Sequence, residues 1–377
     1  MIAAMERRCF FISTNITPHP NNQQITAMGK ELAVRGHQVI HIIGNHKWHL
    51  QDSASNPAIS VWPSRRPTRA RDAWFLRRLI DHYRPNCVVA DGYASTSIVL
   101  LVGSFSKVPY RVTWYRTMQQ GIHWHESGLS LAQRWRSCLL AQRRYTVYRL
   151  TRPYFIANSE AARRDVTTLL ALPEQRSVTF HNAMADPQLV AAHQSQARAG
   201  IVCVGRLSPE KGQDVLVRAV ALLAAKYPGI HVAFIGEGGQ RVNYSRLANE
   251  LGIAAYCSFL GPLPHQEVLA RMGRAYLSIV PSRSEAFGRV VIESMAMGTP
   301  VMASHVGGIP ELIRDGVDGF LVPPDDPEAL AGKISAVLDN PQMQREMCQN
   351  ARQRFLTDFE EGVIIPRMAD WFEALVQ

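Results

Sequence analysis

Two short segments in the second half of the chain gather the residue types that could handle a phosphorylated, hydroxyl-rich ligand. The first is Gly205-Arg206-Leu207-Ser208-Pro209-Glu210-Lys211-Gly212, placed between an apolar run ending at Val204 and helix-period residues from Gln213. Two cations at a strand-to-helix turn, beside glycines that let backbone approach a ligand, make a candidate diphosphate clamp of Gly205, Arg206 and Lys211. A solvated surface turn would have the same composition, so this segment does not decide alone. In the second, Glu285 and Glu293 bracket Phe287-Gly288-Arg289-Val290. Residues 277–280 read as a strand, and a helix is expected to start near Gly288, at the carboxyl edge where open α/β sheets bind ligands. The first amides of such a helix lack intrahelical partners and can hold a phosphate, and Gly288 removes the side chain that would block approach. An anion site between two carboxylates suits a ligand whose hydroxyls those carboxylates grip. A sugar nucleotide has that form.

Positioning these groups requires parallel sheets. Short β-rich apolar runs alternate with helix-period segments in both halves, the pattern of parallel strands joined by crossover helices. In the first half, strands are expected at 9–14, 38–43, 87–90, 111–115 and 154–157, with turn formers at 17–22 and a helix over 23–35 ending at Gly36. In the second, strands are expected at 201–204, 231–235, 258–260, 277–280 and 301–303. Weak periodicity over 184–199 marks a boundary. The division is an N-terminal acceptor-binding domain over 1–185, a C-terminal donor-binding domain over 186–358, and an amphipathic helix over 359–377 crossing back onto the first. At 377 residues the chain exceeds what one hydrophobic core supports, which agrees with two α/β domains.

Composition narrows the function classes. Apolar residues make up 46% and charged residues 19%, too apolar for a disordered chain. No run reaches the roughly 18 apolar residues of a spanning helix, and the N-terminus has no signal-peptide pattern, so a cytoplasmic location is expected. Six scattered cysteines without a C-x-x-C pair indicate neither a zinc site nor a disulfide framework. The net charge of +10 is uneven: residues 1–190 hold 24 Lys/Arg and 11 Asp/Glu (+13), the remainder 17 and 20 (−3). An N-terminal half so basic is expected to face something anionic, such as a lipid surface. Residues 128–150 are the candidate contact, with Trp135, Tyr145 and Tyr148 near headgroups and Arg134, Arg136, Arg143, Arg144 and Arg149 on phosphates. Packing of those aromatics inside the domain is the competing reading.

The segment from Ser284 to Pro300 resembles the E-x7-E signature of retaining glycosyltransferases of family four, the group 1 glycosyl transferases with the GT-B fold. Around it, residues 205–212 are similar to the family's G-R-L-x-x-E-K-G, and Ile235-Gly236-Glu237-Gly238 to its glycine-containing strand end. Gly307-Gly308-Ile309-Pro310-Glu311-Leu312-Ile313 and Gly316-Val317-Asp318-Gly319-Phe320-Leu321-Val322 continue the match in order. The resemblance implies two Rossmann-like domains with parallel sheets facing across an interdomain cleft. It further implies that Arg206 and Lys211 neutralise a diphosphate, that backbone at Phe287, Gly288, Arg289 and Val290 assists, and that Glu293 binds ribose while Glu285 binds the transferred sugar. Cations and amides placed where charge develops on the leaving diphosphate lower the barrier, so no cofactor or divalent metal is expected beside the UDP- or GDP-linked co-substrate. No Asp-x-Asp tripeptide occurs.

The first half matches less closely. Glu31-Leu32-Ala33-Val34-Arg35-Gly36-His37-Gln38-Val39 is similar to the family's first helix and second strand, and His181-Asn182-Ala183 to its interdomain element. Asn21-Asn22 stand where a glycine pair is usual, which makes Asn22 a candidate donor-loop residue. Where many members place a cleft histidine, Val112-Thr113-Trp114-Tyr115-Arg116 offers Tyr115, with His123 or His125 as substitutes. The expected activity is retaining transfer to a lipid-linked or lipopolysaccharide-type acceptor, peripheral on the inner membrane face, by a monomer or weak dimer that does not engage nucleic acid. An inactive GT-B scaffold, a basic membrane- or nucleic-acid-binding protein and a nucleotide-sugar epimerase are the alternatives. E-x7-E spacing argues against the epimerase.

Overall fold

Every residue of Cys-Phe-Phe-Ile-Ser-Thr is buried in strand β1 (Cys9–Thr14). A strand buried on both faces needs helices on both, which is what parallel sheets supply. The computed structural model describes residues 8–14, 20–44, 58–64, 67–91, 95–118, 130–187 and 198–377. After β1 come α1 (Pro20–Val34), β2 (Gln38–Ile43), β3 (Ala58–Val61), α2 (Ala70–Tyr83), β4 (Cys87–Ala90), α3 (Thr96–Phe105) and β5 (Tyr110–Tyr115). Helix α4 (Leu131–Thr151), β6 (Tyr154–Ala157), α5 (Glu160–Leu170) and β7 (Ser177–Thr179) complete a seven-stranded sheet of order β3-β2-β1-β4-β5-β6-β7. Its pairings are parallel throughout, and one core lies on each face.

The second half repeats the scheme with β8 (Ile201–Val204), α6 (Gln213–Leu223), β9 (Val232–Ile235), α7 (Arg241–Glu250), β10 (Cys257–Gly261), α8 (His265–Arg274), β11 (Leu277–Val280), α9 (Arg289–Ala296), β12 (Val301–Ser304), α10 (Ile309–Leu312), β13 (Gly319–Val322), α11 (Pro327–Leu338) and α12 (Pro341–Asp358). Its six strands run β10-β9-β8-β11-β12-β13, also parallel. This is the α/β GT-B arrangement of two Rossmann-like sheets.

Helix α13 (Glu361–Val376) leaves the second domain and packs on α1 of the first. Ile364, Ile365, Met368, Phe372 and Val376 are buried in the same core as Phe10, Ile25 and Met28, each contributing roughly 1.5–3 kcal/mol. Arg35 then fixes the register: its guanidinium donates to Asp370 at 2.6 Å, to Glu373 at 3.0 Å and to the Pro366 carbonyl at 3.2 Å.

Three expectations change. Helix α1 begins at Pro20 rather than at residue 23, because proline's fixed φ suits a first helical position; Asn22 therefore lies in the first turn and not in a preceding loop. Tyr148 and Tyr145 do not face a headgroup layer. Tyr148 is buried edge-on against Phe155, with ring centroids 5.0 Å apart, and Tyr145 packs beside it against the core. Strands β3, β7 and β13 were absent from the expected set, β3 and β7 because they are edge strands of only four and three residues.

Candidate functional site

The clamp turn is assembled by its neighbour in the sheet. After β8 the chain bends through Gly205, and Pro209 to Lys211 form one 3-10 turn that ends at Gly212, which starts α6 with φ 62°. A β-carbon at Gly212 would collide with the Pro281 carbonyl, so the turn sits directly on the loop that follows β11. Arg283 of that loop locks the two together. It donates to the Pro209 carbonyl at 2.6 Å, to both carboxylate oxygens of Asp214 at 2.9 and 2.7 Å, and to Asp325 at 2.5 Å. Burial opposes that charge, but hydrogen bonding to Asp214 outweighs it and holds the guanidinium above its ordinary range. Sequence reading missed Arg283; its spacing from the E-x7-E segment carries no signal of its own.

The result of this packing is an ion pair between the two chemical segments. Lys211 Nζ donates to Glu285 Oε2 at 2.5 Å, with both side chains mostly covered. Glu285 is held from behind as well: Gly308 N–H donates to its carbonyl at 3.1 Å, and a β-carbon at Gly307 would strike that same carbonyl. Arg206 is half-exposed and donates to the buried Glu210 at 2.6 Å. Gly288, at φ 105°, opens α9, whose first amides at Arg289 and Val290 have no intrahelical acceptor. Phe287 is buried beneath them. One turn along, Glu293 is 7% exposed and accepts from Arg289 Nε at 3.1 Å. Burial raises the Glu293 carboxyl above its usual range and lowers Arg289, each partly restored by the other.

The opposite wall is less charged. Tyr115 points away from the cleft: its hydroxyl donates to Asp165 of α5 at 2.5 Å within the N-terminal core, and burial followed by that carboxylate pushes its pKa far up. His123 and His125 lie outside the described residues, as does the side chain of Asn22. What stands at the carboxyl ends of the central strands is Asp91, just after β4, with Arg116 Nη1 3.1 Å from Oδ1 and Thr14 Oγ1 3.5 Å from Oδ2. The sequence signal was an acid ending an apolar strand, 87–91, which the reading passed over in favour of the next strand.

The two walls are clasped beside Glu285. The Glu311 carboxylate of α10 accepts from the Glu160 and Ala161 amides at the start of α5, at 2.7 and 2.8 Å, and lies 3.1 Å from His181 Nε2. Ser159 caps α5 by accepting from the Ala162 amide and donates its own proton to the Ala286 carbonyl at 2.5 Å. His181 also lies against Phe287, 5.7 Å between centroids.

A family model described as glycosyl transferases group 1 matches residues 191–354, and one described as a glycosyl transferase 4-like domain matches residues 22–183. A D-inositol 3-phosphate glycosyltransferase from Acidothermus cellulolyticus is 39% identical over 160 residues, 40% of this chain and 36% of that protein. A glycogen synthase from Mycobacterium tuberculosis is 35% identical over 162 residues, 43% of this chain and 39% of the relative. The match thus spans between a third and two fifths of these relatives. In solved structures, HepE from Anabaena in complex with UDP superposes with a TM-score of 0.75 at 18% identity, covering 97% of this chain and all of the other. The sucrose-phosphate synthase from Thermosynechococcus elongatus gives 0.73 at 21% identity, with 98% and 99% covered.

Proposed function

This chain belongs to the group 1 glycosyl transferases with the GT-B fold, and from that premise we propose that it moves a sugar from a nucleotide diphosphate sugar to an acceptor with retention of configuration. The observation that carries the reading is the Lys211–Glu285 pair, set between the Arg206 turn and the start of α9. A cation and a carboxylate that neutralise each other can both be satisfied by one ligand carrying an anion next to hydroxyl donors. A sugar diphosphate is such a ligand. The diphosphate takes Lys211 and Arg206 together with the α9 amides, the sugar hydroxyls take Glu285, and the ribose takes Glu293. UDP-linked donors are the first choice, since the similar HepE structure was solved with UDP.

Charge grows on the leaving diphosphate as the glycosidic bond breaks, and groups already aimed there stabilise that charge without reorganisation. We assign metal-independent departure to Arg206, Lys211 and the helix end. For the attack we favour front-face displacement, in which the departing phosphate takes the acceptor proton; a covalent sugar adduct on a side chain would overturn that step. The acceptor we favour is lipid-linked or of lipopolysaccharide type, reached at the inner membrane face. Support comes from the outer surface of α4, where Trp135, Leu139, Leu140 and Leu150 are exposed beside exposed Arg143 and Arg149. Among the described residues no helix is long and apolar enough to cross a membrane, so contact through such a surface is the form proposed.

The test is calorimetric titration of UDP-, GDP-, ADP- and CMP-sugars, with and without chelator, on wild type and Glu293→Ala. One donor bound in chelator and lost in the variant is expected. No binding of any donor by wild type would sink the transferase reading in favour of an inactive scaffold.

A further inference from the structure

The order β3-β2-β1-β4-β5-β6-β7 reverses direction between β1 and β4. Helix α1, which follows β1, packs on one face of the sheet and α3, which follows β4, on the other, so the carboxyl ends of β1 and β4 mark the switch point where open α/β sheets form a crevice. Two side chains stand at that point: Thr14, the last residue of β1, and Asp91, the first after β4, whose amide is fixed to the Ser13 carbonyl at 2.9 Å. Arg116, the first residue after the neighbouring β5, reaches the Asp91 carboxylate at 3.1 and 3.3 Å. Three adjacent strand ends therefore converge on one carboxylate.

This carboxylate is not an ordinary structural ion pair. A carboxylate offers about four acceptor positions, and among the described residues one Arg116 nitrogen and a long contact from Thr14 take up part of that capacity. Such a group, almost wholly buried, is costly to leave under-bonded. Its surroundings point across the cleft. Arg116 is close enough to Arg289 for the two charges to oppose one another, so the Asp91–Arg116 pair confronts the Arg289–Glu293 pair of the donor domain. Met118, two residues beyond Arg116, lies against Gly307, the residue that backs Glu285. The approach from the N-terminal wall thus leads to the sugar end of the proposed donor site.

We propose that Asp91 is the N-terminal domain's catalytic carboxylate: it accepts a hydrogen bond from a hydroxyl of the transferred sugar and stabilises the positive charge that develops at the anomeric carbon. The inference rests on the transferase reading and deepens it. Lys211 and Arg206 hold the departing negative charge on one side; Asp91 supplies the negative counterpart on the other, delivered only when both domains embrace the donor. Burial raises the Asp91 carboxyl above its ordinary range, and Arg116 is the positioning residue that opposes this rise and favours the ionised form. No proton is transferred to Asp91 in this step. The sugar hydroxyl keeps its proton, and the acceptor proton leaves with the phosphate.

The experiment compares Asp91→Asn with wild type, measuring UDP affinity by calorimetry and turnover of UDP- and GDP-hexoses through hydrolysis or transfer. Loss of turnover of roughly a hundredfold is expected, the size seen when one preorganised electrostatic group is removed, with UDP affinity held within about threefold. Deoxy-sugar donors sharpen the result. The hydroxyl that Asp91 contacts is the one whose removal slows wild type but adds little to the variant, a non-additivity that a merely structural residue does not produce. Turnover by Asp91→Asn within threefold of wild type, in an enzyme that does turn over, overturns the proposal and leaves the transferase reading intact. An equal loss of UDP affinity also overturns it. Should Asp91→Asn fail to fold, the same measurements on Arg116→Gln decide: reduced turnover with UDP binding kept supports the role, and unchanged turnover removes it.

Discussion

The two walls of the cleft carry charge in opposite styles. On the C-terminal wall each cation arrives with its own carboxylate, Arg206 with Glu210, Lys211 with Glu285 and Arg289 with Glu293, at 2.6, 2.5 and 3.1 Å. Among the described residues the Asp91–Arg116 pair faces them from the N-terminal wall, while exposed cations of that domain such as Arg143 and Arg149 lie on the outer surface of α4. Balanced pairs at short range suit a small ligand that exchanges partners one for one. Unbalanced cations on an outer surface act over a Debye length and suit an extended anionic surface. On the proposed function, holding the donor and finding the acceptor fall to different parts of the fold.

Breaking a balanced pair is expected to have the largest effect. Lys211→Ala leaves Glu285 opposite an incoming diphosphate with no cation between them, and Glu285→Ala removes the grip on the sugar. Each should lose about a hundredfold in turnover, with Lys211→Ala also weakening UDP binding, whereas Glu285→Ala weakens the sugar nucleotide more than UDP itself. Steady-state kinetics beside calorimetry reads both. Equal loss of UDP affinity in the two variants would erase the division of labour between them.

The outer surface comes next. Replacing Arg143 and Arg149 together with Gln should lower partitioning onto vesicles containing anionic lipid by about thirtyfold, at roughly 1 kcal/mol for each cation near the surface, with turnover of soluble donor unchanged. Trp135→Ala should weaken binding further and Tyr148→Phe should not, because Trp135 is exposed and Tyr148 is packed on Phe155. Flotation at low and high salt measures this. Equal partitioning of wild type and the double variant would remove α4 from the membrane proposal.

Legibility in the sequence follows the same division. The C-terminal wall was readable because its shape rests on backbone: glycines 205, 212, 288 and 307 are needed where the chain turns left-handed or carbonyls crowd, and they stand at fixed sequence distances from the charged residues. Pairing was less readable. Nothing local joins Lys211 to Glu285, 74 residues away, and the link through Arg283 exists only because β8 and β11 are neighbours in the sheet. On the N-terminal wall, the apolar pattern marks β5 as a strand but does not tell which of its residues reaches the cleft. Tyr115 proved to be committed to Asp165, while Asp91 occupied the strand end. The aromatic content of α4 misled for a related reason: composition cannot tell which ring of Tyr145, Tyr148 and Trp135 faces the sheet until the helix phase is known.

The smallest effect expected is at the clasp joining the walls, and its sign is fixed by pH. Burial would raise the Glu311 carboxyl, but hydrogen bonds from His181 and from the Glu160 and Ala161 amides outweigh it, so its pKa lies below the ordinary carboxylate value. A group depressed on folding contributes stability above its unfolded pKa, near 4.3, and loses that contribution as pH falls through the lowered folded value. At pH 7 Glu311→Gln should therefore melt roughly 2–4 °C below wild type, as removal of about 1 kcal/mol would produce in a domain of this size. The gap should narrow as pH falls below the unfolded value toward the lowered folded one, where wild type loses the same charge. Because Glu311 follows directly on the Gly307-Gly308 turn behind Glu285, the variant should also raise KM for the donor a fewfold without the hundredfold loss of Lys211→Ala. A melting difference independent of pH would mean that the amide of glutamine replaces the carboxylate at the α5 amides, and that the two walls are held together chiefly by α13.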